Sequence, residues 1–515
     1  MDQASRYDRK WQAFAAIGVA FVTNVMAMSM VFVALPSIAE EFDVTLRSVA
    51  WVVIAQSLTI SSLMLPMGRV ADMVGRRRIH LLGMTLFGVG SAAVAFAPTF
   101  GLLIAARVLM SIGSAMGQSV GTAMIVATFP ETERGKAIGS QTTAVAIGAA
   151  SGPIIGGLIL QVFPWQAMFL LLLIPISIAI VVGFIELDEE RVSPVNARRS
   201  VGFDWGGAVL SAVMVIVLVL TINNPLALSW SSPLLGGGLV LGAVLFAVWV
   251  MWERRTPDPM LELSLFSNRM FSTAVLARLF GFMGSTVVLF LAPVYLISLR
   301  SMAAAAAGGV LFLNALGMGL AAQISGRLSD RFGAHRFAVA GFGLFVVMAS
   351  SLSTLTKSTP LALVMPMLFV TGLSAGLWNV PNNSTIMGAV PSSRHGVIGA
   401  FTNLVRNLAN VSGQALASAI VVGVMASRGF DIPLSEIADS VPAGEAFTAG
   451  WRWTFRTAAC LAILGMIMAL SGLRQASSNS GSPVTESPKD ASDGESTGSG
   501  EGSKTSGERS GTRGR

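Results

Sequence analysis

The chain of 515 residues is 53% hydrophobic and only 12% charged. A soluble domain carries about 25% charged residues, so this chain has too little polar surface for a water-soluble fold. The net charge of +7 is no nucleic-acid patch: Gln475 to Arg515 contributes −1, and the remaining +8 sits mostly in short segments between apolar blocks. The single cysteine, Cys460, permits no disulfide framework within the chain and leaves the redox compartment open.

Taken in chain order, Met1 to Lys10 is short, polar and basic. It leads into a long apolar run with no small-residue cleavage site, which reads as a retained first span rather than a signal peptide. Apolar blocks long enough to cross a hydrocarbon core of about 30 Å then recur. They predict helices over 12–35, 49–67, 79–97, 100–127, 137–163, 165–186, 205–222, 233–252, 272–297, 304–325, 337–354, 361–384, 397–426 and 451–473. Spans without water must satisfy their own backbone, and the ten-residue alternation of a membrane barrel is lacking, so these blocks are helices. From Gln475 onward the chain is Ser, Gly, Thr and mixed charge, a composition that predicts disorder.

Lys and Arg mark orientation. Twenty fall on the side of the N-terminus and six on the other, which places both termini in the cytoplasm and requires an even number of spans. After the second span the sequence reads G-R-x-x-D-x-x-G-x-x-R with Gly68, Asp72, Gly75 and Arg76; after the tenth the pattern returns with Gly326, Asp330 and Gly333. Such a repeat marks a transporter of two halves. Eight spans separate the copies where two six-span halves would give six, so an extra pair sits between the halves at 205–222 and 233–252. The glycines allow tight turns. The aspartate can cap the next helix and pair with an arginine, making a charge cluster that latches the halves on the cytoplasmic side.

The fifth span contains Gly148, Gly152, Pro153, Gly156 and Gly157 in the pattern G-x-x-x-G-P-x-x-G-G. The first, second and fourth of these put a small-residue face on the helix for close packing, and Pro153 permits a bend. Together with the paired loops, this span resembles the antiporter motif of the major facilitator superfamily. Fourteen spans resemble that superfamily's drug:proton antiporter branch. The resemblance covers nearly all of 10–473, including Leu35-Pro36, Trp51, Arg107 and Leu265-Phe266. It implies a multidrug exporter of the drug-resistance type, exchanging substrate for protons. One departure bears on coupling: the branch carries an aspartate in the first span, and the aligned position here is Ala27. No Asp or Glu lies deep in any predicted span.

The interior does hold Arg107, Arg278 and Arg406. Intramembrane charge is costly and points to function. Arg107, Ser111, Ser114 and Gln118 are spaced to share one helix face, as are Asn403, Asn407, Asn410 and Gln414 beside Arg406. Asn379, Asn382 and Asn383 flank Pro381. These polar faces are expected to line a cavity between the halves; the bland alternative is hydrogen bonding that only holds helices together. The histidines form no metal set. The P-loop pattern of ATP-driven pumps and any nucleophile–base constellation are both lacking, so neither a cofactor nor an enzyme is expected.

The sequence thus predicts an all-α integral membrane protein of two pseudo-symmetric six-helix bundles with an inserted helix pair. Its expected limits are 1–188 for the first half, 189–260 for the inserted pair with its cytoplasmic loops, 261–474 for the second half and 475–515 for a disordered cytoplasmic tail. The expected function is secondary active export of small hydrophobic or amphipathic molecules by proton-coupled alternating access. The expected setting is a monomer in the cell's inner or plasma membrane, with lipid, small-molecule substrate and protons as partners and no nucleic acid. The alternatives are a transporter of a specific organic anion or metabolite, and a non-transporting sensor on the same fold.

Overall fold

The structure, a computed structural model, describes residues 9–192, 202–224, 232–391, 394–430, 437 and 440–479. Among these, fourteen helices are long and apolar enough to cross a membrane. The first six are α1 (Lys10–Glu41), α2 (Trp51–Val74), α3 (Arg76–Ala95), α4 (Phe100–Thr128), α5 (Arg134–Leu160) and α6 (Gln166–Glu186). The inserted pair is α7 (Trp205–Asn223) and α8 (Pro233–Arg255). The last six are α9 (Arg269–Leu299), α10 (Ala304–Phe332), α11 (Ala334–Leu352), α12 (Leu361–Gly388), α13 (His395–Ser427) and α14 (Val441–Asn479).

Several starts follow from local chemistry. Thr99 caps α4 through the Leu102 N–H, Asp204 caps α7 through Gly207, and Asn268 caps α9 through Met270 and Phe271. Such side chains satisfy backbone donors that a helix start leaves free. The sequence limits err mainly by stopping helices early. α1 runs through Pro36 to Glu41, since one missing donor does not end a long span. α2 and α10 continue through the charged motif to Val74 and Phe332, and α14 begins at Val441 rather than 451. Helix α14 also continues to Asn479; the remainder of the segment read as disordered lies outside the described residues, as do 193–201 within the inserted region.

The packing of the first half repeats in the second with an offset of eight helices. α1 lies on α5, α2 on α4 and α3 on α4; correspondingly α9 lies on α13, α10 on α12 and α11 on α12. The halves meet along two seams, α2 with α13 and α5 with α10, which the same offset interchanges. α7 pairs with α8 and also packs against α2 and α13, so the inserted pair sits along one seam. Its outer face is apolar: Leu239, Val240, Phe246 and Met251 of α8 are exposed, while Leu235, Gly242, Trp249 and Glu253 face inward. Large apolar side chains pointing outward around buried Ser, Gln, Asn and Arg are the expected arrangement in a solvent of lipid.

Candidate functional site

Where α2 and α10 end along the two seams, small residues let helix backbones touch. A Cβ on Gly68 of α2 would lie 3.4 Å from Gly396 O of α13, and one on Gly326 of α10 would lie 3.4 Å from Gly139 Cα of α5. One turn further along each helix stands an aspartate on the same face. Asp72 Oδ2 accepts the Val397 N–H at 3.1 Å. Asp330 accepts the Gly135 N–H at 2.9 Å and the Lys136 N–H at 3.2 Å. Each carboxylate therefore sits at the N-terminus of a helix in the other half, where free N–H groups and the helix dipole favour negative charge.

This differs from the expected cap on the following helix: α3 and α11 start after Gly75 and Gly333 without a side-chain cap. These two glycines take φ of +118° and +93°, a region favouring residues without a Cβ, and make the turn. The two caps are not equal. Arg76 is 1% exposed and reaches Asp72 Oδ1 at 2.9 Å, and it also donates to Val192 O at 3.2 Å. Ala334 stands at the matching place after Gly333. The backbone donors in α5 and α13 escaped sequence reading, although a second repeat marks them: Arg134-Gly135 with Gly139, and Arg394, Gly396 with Gly399.

Deeper in the membrane the polar residues divide into three groups. In the first half, Arg107 is fully buried, donates to Val52 O at 3.4 Å and to Gln56 Oε1, and stacks 5.6 Å from the Phe169 ring. Ser111 bonds back to Arg107 O at 2.6 Å. Gln56, absent from the predicted set, is thus a partner of Arg107. In the second half, Arg278 donates to Thr402 O at 3.0 Å and to Asn379 Oδ1 at 3.1 Å. Asn382 donates to Ala274 O at 3.0 Å, Asn410 accepts from Thr286 at 2.7 Å, and Asn383 is buried.

The third group crosses the seam. Gln118 of α4 offers its backbone carbonyl to Asn403 Nδ2 at 3.0 Å and its Oε1 to Arg406 Nη2 at 3.3 Å, both on α13. Gln118 Nε2 donates to Ser114 at 2.9 Å. Arg406 and Asn407 are half-buried, whereas Arg107 and Arg278 are enclosed within their own halves. On the other seam Gln323 of α10 donates to Thr143 of α5 at 3.0 Å. Gln323, Gly326 and Asp330 share a face at spacings of three and four, a signal available in the sequence but not used.

The glycine motif of α5 lies elsewhere. Cβ atoms on Gly148, Gly152 and Gly156 would come 2.6 Å from Val22 O, 2.7 Å from Met26 O and 2.8 Å from Met30 Cγ, all on α1. Gly157 has open space, and half-buried Pro153 lies within the helix. The motif therefore packs two helices of one half together. Among the described residues no group of three His, Cys, Asp or Glu could hold a metal ion.

Residues 17–414 match the family model described as Major Facilitator Superfamily. The chain is 31% identical over 410 residues to the riboflavin transporter RibZ of Clostridioides difficile, covering 80% of this chain and 88% of that protein. It is 28% identical over 423 residues to the methyl viologen resistance protein SmvA of Salmonella typhimurium, covering 82% and 83%. Among solved structures, the human organic anion transporter MFSD10 superposes with a TM-score of 0.63 over 89% of this chain and 99% of that one, at 16% identity, a likeness of fold.

Proposed function

The chain belongs to the major facilitator superfamily as a multi-pass membrane transporter rather than an enzyme, and we propose that it exports small hydrophobic or amphipathic molecules by proton-coupled alternating access. In this reading it works as a single chain in the plasma membrane with both termini in the cytoplasm.

The observation that carries the reading is the reciprocal pair of caps, Asp72 on α13 and Asp330 on α5. Both hold the cytoplasmic ends of the halves together, one at each seam. A hydrogen bond to a charged group contributes about 1.5–3 kcal/mol. Two such contacts bias an equilibrium between inward and outward states of a few kcal/mol without locking it. Releasing both lets the halves rock apart on the cytoplasmic side and admit substrate from within.

The residues proposed to meet substrate are those at the seam: Gln118, Asn403, Arg406 and Asn407, with Ser114 behind them. Arg107, Ser111, Arg278, Asn379, Asn382 and Asn410 are assigned to positioning helices within each half, because their bonds stay inside it. Arg406 gives the route a positive charge, so neutral or anionic amphiphiles are favoured over lipophilic cations. The resemblance to a riboflavin transporter supports a planar amphipathic cargo, and the resemblance to a resistance protein supports outward movement. A panel of neutral, anionic and cationic dyes, offered to inverted vesicles with and without an imposed pH gradient, tests the reading. A non-transporting sensor would move none of them.

A further inference from the structure

The inserted pair holds two buried carboxylates that the transport route does not use. Asp204 precedes α7 and Glu253 lies in the last turn of α8; they are 8% and 3% exposed. Asp204 Oδ1 accepts the Gly207 N–H at 2.8 Å and the Trp252 indole N–H at 3.0 Å. Glu253 Oε2 accepts the Leu261 N–H at 3.3 Å. The second oxygen of each, Asp204 Oδ2 and Glu253 Oε1, is buried and makes no well-formed hydrogen bond, although the buried Trp249 indole and the Met260 backbone lie close to the Glu253 carboxyl. Both point at Gly207: a Cβ there would touch Asp204 Oδ2 and lie 2.9 Å from Glu253 Oε1.

Among the described residues no cation pairs with them. Arg254 and Arg255 follow Glu253 on its helix but are exposed, as is Asp258 in the next segment. Glu262 is paired with Arg394 at the start of α13. On α13 His395 meets the Met387 and Val390 carbonyls. On α2, Asp72 pairs with Arg76, and Arg69 is buried beside them. Among the described residues no ion pair includes Asp204 or Glu253. Two carboxylates facing each other out of water repel one another. A single proton converts their repulsion into an O–H···O⁻ bond, one of the stronger hydrogen bonds available.

We propose that Asp204 and Glu253 form a shared-proton site, Glu253 Oε1 donating to Asp204 Oδ2, whose occupancy sets how firmly the inserted pair braces the cytoplasmic gate. The brace follows from packing. α7 lies against α2 and α13, the two helices that the Asp72–Val397 bond joins. The proton ties the start of α7 to the end of α8, and Glu253 ties both to buried Leu261 on the way to α9. Losing the proton sets two negative charges against each other at this corner and separates the pair. The chain, whose first span carries Ala27, thereby holds a titratable site beside its gate. The bracing role rests on the export reading; the proton site does not.

The test uses the full chain reconstituted in lipid and needs no substrate. Infrared spectroscopy across a pH series should show the C=O band of a carboxyl hydrogen-bonded to a carboxylate, lost as the pH is raised. Glu253→Gln should remove the band, and Asp204→Asn should shift it. Should Glu253→Gln not fold, Glu253→Asp must alter the band's frequency. Absence of the band in the native chain, or an unchanged band in these variants, overturns the proton site. In a Cys460→Ser background, spin labels at exposed Trp205 and Arg255 should move apart as the band is lost, and should not respond to pH in Glu253→Gln. A fixed distance, or the same response in the variant, overturns the brace. A native band in a protein that exports nothing would refute the export reading and leave the proton site standing.

Discussion

Asp72, in the last turn of α2, accepts the backbone N–H of Val397 at 3.1 Å, so a carboxylate of one half caps the first turn of a helix in the other. Its side chain is only 9% exposed and Arg76 shares it. Asp72→Asn therefore removes the cross-seam charge and takes from buried Arg76 its carboxylate partner, and it should lower efflux by about ten-fold or more while leaving the protein in the membrane. Asp330→Asn should do less: Asp330 is exposed, so water replaces what is lost, and no arginine matches Arg76. Dye efflux normalised to protein in the membrane checks both. Equal, unimpaired flux would make the motif a topology anchor only.

Gly152→Leu should damage assembly of the first half. A Cβ alone would meet Ser29 Oγ first, and behind it the α1 backbone, with Met26 O at 2.7 Å and Met30 N at 2.9 Å, which no side-chain rotation clears. Overpacking of this kind costs about 1–3 kcal/mol, and here α1 must move away. Gly157→Leu, next to open space, serves as the control. Thermal unfolding in detergent should separate them, with only the first substantially destabilised.

Gln56→Leu should destabilise more than most single changes in a span. It removes an acceptor of Arg107, which is fully buried. Leaving a buried donor without its partner costs about 1–3 kcal/mol, more for a charged group. Replacing both partners, Gln56→Leu with Arg107→Met, should recover much of the stability. A double variant no more stable than the single one would mean that the pair does not act as a unit.

Arg406→Ala should change selectivity more than folding. Arg406 is half-buried at the seam, and it donates to a neutral amide, Gln118. A guanidinium there attracts carboxylates and sulfonates and repels cations. Removing it should weaken anion transport by about ten- to a hundred-fold, equivalent to about 1.5–3 kcal/mol, and leave cations unaffected or improved. Paired anionic and cationic dyes of similar size give the readout, and strong cation export that is the same in both proteins would contradict it.

The fourteen spans were legible because each must satisfy its own backbone in lipid, which forces long apolar blocks. Their ends were less so. α2 and α10 carry their charged motif inside the last helical turns, where the aspartates can reach across a seam. The donors that meet that reach were missed because backbone N–H groups at Gly135, Lys136 and Val397 have no side-chain signature. Helical spacing grouped the polar residues of α13 on one face, but that face is wide enough to meet two neighbours. Asn403 therefore reaches α4 while Asn410 turns to α9. The partner of Arg107 was hidden for a similar reason, since spacing along α4 says nothing of which helix lies beside it. Asp204 and Glu253 stand at opposite ends of the inserted hairpin and meet only once it folds back.

The central claim is proton-driven export through a gate latched by Asp72. Its most direct measurement is accumulation of a neutral or anionic amphiphilic dye in inverted vesicles whose lumen is made acidic. The native protein should concentrate the dye, lose that ability when the gradient is collapsed, and lose most of it in Asp72→Asn. Accumulation that ignores the gradient, or that persists undiminished in Asp72→Asn, would contradict the account.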